Sequence, residues 1–241
     1  MQQFSSTCKS DPSHADRPSQ KVKTMLTDIQ SQDLSLYEQL KNEVLFGTYE
    51  PGQKLKVEEL KKQFGVGPNA VREALVKLAA QGLIVAEDQK GFRIPPGGMD
   101  ELQDLSRMRT LLENEGVGHS IDHGDLEWEG KVAAATHKLN QVEQQMLNDQ
   151  IMVEQWTRYD QEFHLALMSA CGSQLLLKMY ADLFTQYRQY VVRELKTHGF
   201  RGQQIIDEHT AISEAALARD KSRCLSLLLQ HSHAYLSRSL T

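Results

Sequence analysis

The sequence predicts a mainly α-helical protein in two parts, a small helical unit closed by a β-hairpin and then an all-α bundle of about six helices. Three observations carry this. Apolar residues recur at three- and four-residue intervals through most of the chain beyond residue 33. Strand-like runs occur in one place only, Leu83-Ile84-Val85 and Phe92-Arg93-Ile94 around the polar turn Glu87–Gly91. Between the parts, Ile94-Pro95-Pro96-Gly97-Gly98 cannot sustain a helix, because its prolines lack amide donors and its glycines are entropically costly.

Taken in order, residues 1–27 are rich in Ser, Gln, Thr, Lys and Asp and are expected to be a disordered tail. A first domain is expected over 28–94. Leu34, Tyr37, Leu40, Val44 and Leu45 space a first helix that stops near Gly47. An extended piece, Lys54-Leu55-Lys56-Val57, leads to a second helix over Glu58–Phe64 that ends at Gly65. Gly67-Pro68-Asn69 opens a third, since proline in the first turn loses no useful hydrogen bond, and Val71, Leu75, Leu78 and Ala79 form its buried stripe. Gly82 ends it and the hairpin follows. Residues 95–98 are the linker, and 99–241 the second domain. Its helices are predicted over Met99–Ser120, Leu126–Leu147, Val153–Cys171, Gln174–Thr197, Gln203–Ala218 and Asp220–Leu240. Ala133-Ala134-Ala135 in the second of these is expected to allow close helix approach.

With 241 residues, 40% hydrophobic and 24% charged, the chain has the length and composition of one or two globular domains. No run of apolar residues reaches membrane-spanning length, and the start MQQFSSTCKS lacks the pattern of a secretory signal. The three cysteines, Cys8, Cys171 and Cys224, are scattered, which fits free thiols in a reducing cytoplasm. The net charge of −5 is unevenly spread: residues 21–97 carry eleven basic and ten acidic side chains, residues 98–241 fourteen and twenty. The acidic second half is therefore poorly suited to a phosphate backbone, and any nucleic-acid contact falls to the first half.

The segment Leu34–Ile94 resembles the winged helix-turn-helix domain of GntR-type bacterial transcription regulators. The resemblance rests on Val71-Arg72-Glu73-Ala74-Leu75, the Gly82-Leu83-Ile84 step and the wing tip Gly91-Phe92-Arg93, which occur together at the family's spacing. It implies a third helix in the major groove and a wing along the neighbouring backbone or minor groove. Asn69 and Arg72 are then the candidate base readers, an amide for adenine and a guanidinium for guanine. Lys54, Lys56, Lys61, Lys62, Lys77 and Lys90, with the wing residue Gly91, are candidates for the phosphate backbone. Where the family usually has Ser or Thr followed by Arg, this chain has Gly67-Pro68, so one usual contact is missing and the operator sequence does not carry over.

In the second part, Asp160 and His164 stand four residues apart on a predicted helix and so share a face, while His209 and His231 lie on the fifth and sixth bundle helices. An Asp with three imidazoles suits zinc, and also nickel or manganese. Spacing alone leaves open that these are hydrogen-bonded core histidines. Tyr159–Ser173 and Asp207–Asp220 are similar to the FCD ligand-binding domain of the FadR subfamily, in whose metal-binding members an Asp-x-x-x-His helix and two later histidines hold a divalent metal. The resemblance places those ligands at Asp160, His164, His209 and His231. His233 competes for the last place, but two residues along a helix it faces roughly 160° away. Gly172-Ser173 stands where many members have Gly-Asn.

Arg109-Thr110-Leu111-Leu112-Glu113 resembles the opening helix of that domain. A cation facing a metal calls for an anion between them, so Arg109, with Arg188 as a second clamp, is expected to bind an effector carboxylate. The chain looks most like the carbon-starvation-induced regulators of the subfamily, which implies a dicarboxylate or hydroxy acid. The expected function is that of a cytoplasmic homodimeric repressor, not an enzyme, which binds a pseudo-palindromic DNA operator and is released by such an acid. Two rivals use the same residues: a repressor whose effector is the metal itself, and a metal-dependent hydrolase, which would leave the winged helix unexplained.

Overall fold

The computed structural model describes residues 35–148 and 152–238, with backbone alone for 234–238. The expected tail 1–27 and the start of the first helix at Leu34 lie outside these residues. Among the described residues the chain forms nine helices and one small sheet.

Helix α1 (Leu36–Leu45) buries Leu40, Val44 and Leu45. Strand β1 (Lys54–Leu55) is followed by α2 (Val57–Phe64), which ends where Gly65 takes a left-handed φ of 67° and its amide donates to the Lys61 carbonyl. Helix α3 (Pro68–Ala80) starts with Pro68 in its first turn behind Gly67, which offers no side chain to cap it. Its buried stripe is Val71, Ala74, Leu75 and Leu78. Strands β2 (Val85–Glu87) and β3 (Gly91–Arg93) complete an antiparallel sheet in the order β1-β3-β2, with Leu55 opposite Phe92 and Phe92 opposite Ala86.

Two expectations about this part change. Leu83 and Ile84 are not in the strand; both are buried between α3 and β2, where they seal the core made by α1, α2 and α3, so pairing begins only at Val85. The extended piece before α2 is a third strand of the sheet at Lys54–Leu55, and Val57 already belongs to the helix.

The bundle follows: α4 (Met99–His123), α5 (Leu126–Leu147), α6 (Val153–Met168), α7 (Gln174–His198), α8 (Gln203–Leu217) and α9 (Lys221–Arg238). Each helix follows its apolar spacing, and side-chain caps mark three starts, that of α9 by Asp220, which accepts from the Arg223 amide at 3.0 Å. Asp125 accepts from the Trp128 amide at 3.0 Å, and Ser173 accepts from the Leu176 amide at 3.2 Å. Ser173 thus caps α7 at the position where many FCD chains have Asn. Gly116 lets α4 pass close to α6, since a Cβ there would stand 2.7 Å from Cε of Met168. Of the three consecutive alanines only Ala135 is buried; Ala133 and Ala134 are exposed, so the helix contact rests on one small residue rather than three. Phe163, Tyr180, Phe184 and Tyr187 are fully buried at the bundle centre, and burial of each such side chain contributes about 1.5–3 kcal/mol.

Helix α7 also touches the N-terminal part of the chain. Gln189 Nε2 donates to the Leu83 carbonyl at 3.2 Å, and Lys196 Nζ reaches the carbonyls of Phe46 and Gly47.

Candidate functional site

The exposed face of α3 carries Asn69, Arg72, Glu73, Val76 and Lys77, opposite the buried stripe that seats the helix. Arg72 and Asn69 are therefore free of the core and sit at the helix N-terminal end. The wing turn carries Lys90 and Gly91, both exposed, with Gln89 and Gly91 at left-handed φ of 58° and 91°. Lys56 is exposed but pairs with Glu59 at 2.7 Å, and Lys61 pairs with Glu58 at 3.1 Å, which leaves Lys54, Lys62, Lys77 and Lys90 as the better phosphate candidates, Lys77 on α3 itself and Lys90 in the turn between β2 and β3. Arg93 of the wing is structural: it donates to the Gly52 carbonyl and pairs with Glu87 at 3.4 Å.

The second constellation lies inside the bundle. Asp160 and His164 on α6, His209 on α8 and His231 on α9 are all buried, and each presents one ligand atom such that all four atoms lie within 4.8 Å of one another. Asp160 Oδ1 is 3.4 Å from His209 Nε2 and 3.7 Å from His164 Nε2. The rings of His209 and His231 are 4.8 Å apart between centroids, and Phe163 packs edge-on against His164 and His209. Exposed His233, two residues past His231, lies outside the cluster.

This arrangement fits a divalent cation. His209 Nε2 is buried and makes no hydrogen bond, although it faces a carboxylate, and a polar atom in that position is costly unless an ion or a proton occupies it. Burial favours the neutral Asp160 carboxyl, but the imidazoles of His164 and His209 outweigh it and hold the group well below the usual carboxylate range. Burial likewise disfavours imidazolium at His209, yet Glu143 and Asp160 raise it to about 9; burial and the neighbouring His209, His164 and Arg109 push His231 down to about 3 despite its hydrogen bond to Glu208. A cation would take over the place of the proton on His209.

Both predicted effector arginines border this cluster. Arg109 is 3% exposed, pairs through Nε with Glu113 at 3.0 Å, and places Nη2 2.8 Å from His164 Nε2. Its guanidinium lies over the rings of Phe184 and Tyr187, at 5.2 and 5.0 Å from their centroids. Burial opposes its charge, but Glu113 more than restores it. Arg188 donates to Gln161 and lies 5.8 Å from the Phe184 ring, while its Nε is buried without a hydrogen-bond partner. Burial lowers its pKa, and the charges of Asp160 and Glu154 oppose that shift. A bound anion would satisfy that donor.

Sequence reasoning missed the acids behind the histidines. Glu143 Oε1 accepts from His209 Nδ1 at 2.8 Å, Glu208 Oε2 from His231 Nδ1 at 2.9 Å, and Glu113 Oε1 stands 3.0 Å from His164 Nδ1 without the alignment of a hydrogen bond. The signal for Glu143 was present: an acidic residue interrupts the apolar stripe Leu139, Val142, Met146 on the buried face of α5.

Comparison with known proteins finds matches to both parts of the chain. Residues 32–94 match the bacterial regulatory proteins of the gntR family and residues 104–234 match the FCD domain. The chain is similar to the HTH-type transcriptional regulator BphR of Paraburkholderia xenovorans strain LB400, at 32% identity over 88% of this chain and 86% of that one. It is similar also to the HTH-type transcriptional repressor GlaR of Escherichia coli K12, at 33% identity over 81% and 90%. Among solved structures, E. coli McbR/YncC superposes with a TM-score of 0.70 at 21% identity over 86% of this chain and 97% of that one. A putative GntR regulator from Rhodococcus sp. RHA1 gives 0.69 at 22%, over 85% and 95%. At those identities the two structures speak to the fold.

Proposed function

The chain belongs to the GntR family of bacterial transcription regulators with an FCD domain, and on that premise we propose that it is a cytoplasmic, homodimeric repressor released from its operator by a small carboxylate bound at a divalent metal. The winged helix supplies the DNA contact: Arg72 and Asn69 read base edges while Lys77, Lys90 and the amide of Gly91 hold the backbone. One such unit reads a half-site, so a two-fold dimer fits a pseudo-palindromic operator.

The observation that carries the effector reading is the buried juxtaposition of Arg109 with the Asp160, His164, His209, His231 cluster. Those four residues would hold the ion, which when bound supplies a Lewis-acidic attachment point for a carboxylate oxygen. Arg109 and Arg188 stand beside it with the paired and unpaired donors that a dicarboxylate or hydroxy acid requires. Zinc, nickel and manganese all suit this donor set. The repressor sense is supported by the name of GlaR.

The test is operator binding by purified protein of known metal content, titrated with a panel of dicarboxylates and hydroxy acids, and repeated after chelation and after metal is restored. Release by one acid with metal present is the expected result. Operator binding that follows the metal alone and ignores every acid would make this a metal sensor instead.

A further inference from the structure

Resting on the metal reading above, the geometry points to Glu143 and Glu208 as positioning residues that hold two of the ligating histidines from behind, with Glu143 setting the strength of the site. Two three-membered chains of hydrogen bonds lead inward from separate parts of the bundle. In the first, Trp156 Nε1 donates to Glu143 Oε1 at 3.2 Å, and the same oxygen accepts from His209 Nδ1 at 2.8 Å. In the second, Arg201 donates to both oxygens of Glu208, with Nη1 at 3.0 Å from Oε2, and that oxygen accepts from His231 Nδ1 at 2.9 Å.

In both, the carboxylate fixes the proton on Nδ1, so the ring must turn its Nε2 lone pair toward the ion. A ring held this way is preorganised, and the carboxylate makes it a stronger donor to the ion. The chains differ in what stands behind the acid. Glu143 is 1% exposed and backed by a neutral indole, so its whole charge bears on His209. Glu208 is backed by a guanidinium that neutralises it before it reaches His231. Electrostatics in a low-dielectric interior then favours the first chain as the stronger of the two. His209 is also the ring whose inward nitrogen makes no hydrogen bond, so its orientation depends on Glu143 from the outside and on the ion from the inside.

The experiment is competition for Zn²⁺ between a chromophoric chelator and the full-length protein, wild type against Glu143→Gln, Glu208→Gln and Trp156→Phe. Thermal melting of each metal-free protein is measured in parallel. Glutamine keeps the shape and can still accept from Nδ1, so the fold stands and only the charge is lost. Glu143→Gln is expected to weaken Zn²⁺ binding about 10–100-fold, with a smaller metal-induced rise in melting temperature, and Glu208→Gln to weaken it less. Trp156→Phe, which removes the hydrogen bond that orients Glu143 without touching any ligand, should let the carboxylate turn from His209 and weaken binding less than Glu143→Gln does. Wild-type affinity in Glu143→Gln, or a larger loss in Glu208→Gln, overturns the assignment while leaving the metal site standing. Failure of wild-type protein to compete for Zn²⁺ overturns the metal reading itself.

Discussion

The Nη2 atom of Arg109 lies 2.8 Å from Nε2 of His164, the ring nitrogen that faces Asp160. A guanidinium has no lone pair, so it donates and the imidazole accepts, using the electron pair that a metal would need. Arginine and ion therefore compete for one atom. Were an ion to take it, Arg109 would remain anchored through Nε to Glu113, now 3.0 Å away, with Nη2 available to an anion.

On the proposed reading, Arg109 opposes metal loading and supports acid binding. Arg109→Lys keeps a cation near buried Glu113 but loses the planar fork. It should bind metal at least as tightly as the wild type, bind operator normally, and respond weakly to the acid. Arg109→Ala is the harsher change, because it strands a buried carboxylate and costs about 3–5 kcal/mol of stability. Metal affinity by chelator competition and operator affinity with and without acid decide the matter; a large loss of metal in Arg109→Lys contradicts the competition.

The ligand assignment makes a second prediction. His164→Ala and His209→Ala should each lower metal content and melting temperature together, because an ion bound only by the folded chain stabilises it by mass action, about 2.7 kcal/mol at a hundred times its Kd. His233→Ala should leave both near wild type, since that side chain is exposed and outside the cluster. Unchanged metal content in both of the first two variants removes the site.

How much of this was legible in the sequence depends on the range of the interaction involved. Helix periods are local, so the bundle helices start where Met99, Leu126, Val153, Gln174 and Gln203 place them. The hairpin was legible as a hairpin, but Leu83 and Ile84 look like strand residues by composition and are instead buried ahead of the strand. The clustering of Asp160, His164, His209 and His231 was legible because Asp160 and His164 share a helix face and because the chain resembles a known domain. The pairings of the glutamates were not: Glu143 stands out only as an acid in an apolar stripe, and nothing in the spacing from Glu143 to His209 or from Glu208 to His231 announces a contact across helices.

The third prediction concerns DNA. Arg72→Ala should cost about 1–3 kcal/mol on a specific operator and relax discrimination, because it removes a base contact. Lys77→Ala should weaken specific and random DNA alike and reduce the salt slope by about 1, because it removes a phosphate contact. Titrations at matched salt on both kinds of DNA separate the two effects, and an Arg72→Ala protein of wild-type affinity and specificity refutes the reading of α3.

The last prediction is the route between the two halves. An acid can change operator affinity only if it prefers one arrangement of the DNA-binding unit, so some element must feel both sites. The linker through Pro95 and Pro96 is one candidate, but α7 is in contact with both. Phe184 and Tyr187 lie against the Arg109 guanidinium, and Gln189 donates to the Leu83 carbonyl just beyond the end of α3. Gln186 fills the space beside Gly82, where a Cβ would stand 2.7 Å from its Cδ. A small tilt of α7 that followed Arg109 toward an anion would thereby be felt at the C-terminal end of α3. Wild-type coupling is expected on the order of 1–3 kcal/mol, or about 5–150-fold in operator affinity. Gln189→Ala removes the hydrogen bond to the Leu83 carbonyl and none of the groups proposed to hold DNA, metal or acid, so it should keep the affinities for each alone and lower the coupling. Should Gln189→Ala respond to the acid as the wild type does while a lengthened 95–98 segment abolishes the response, the signal runs through the linker and not through α7.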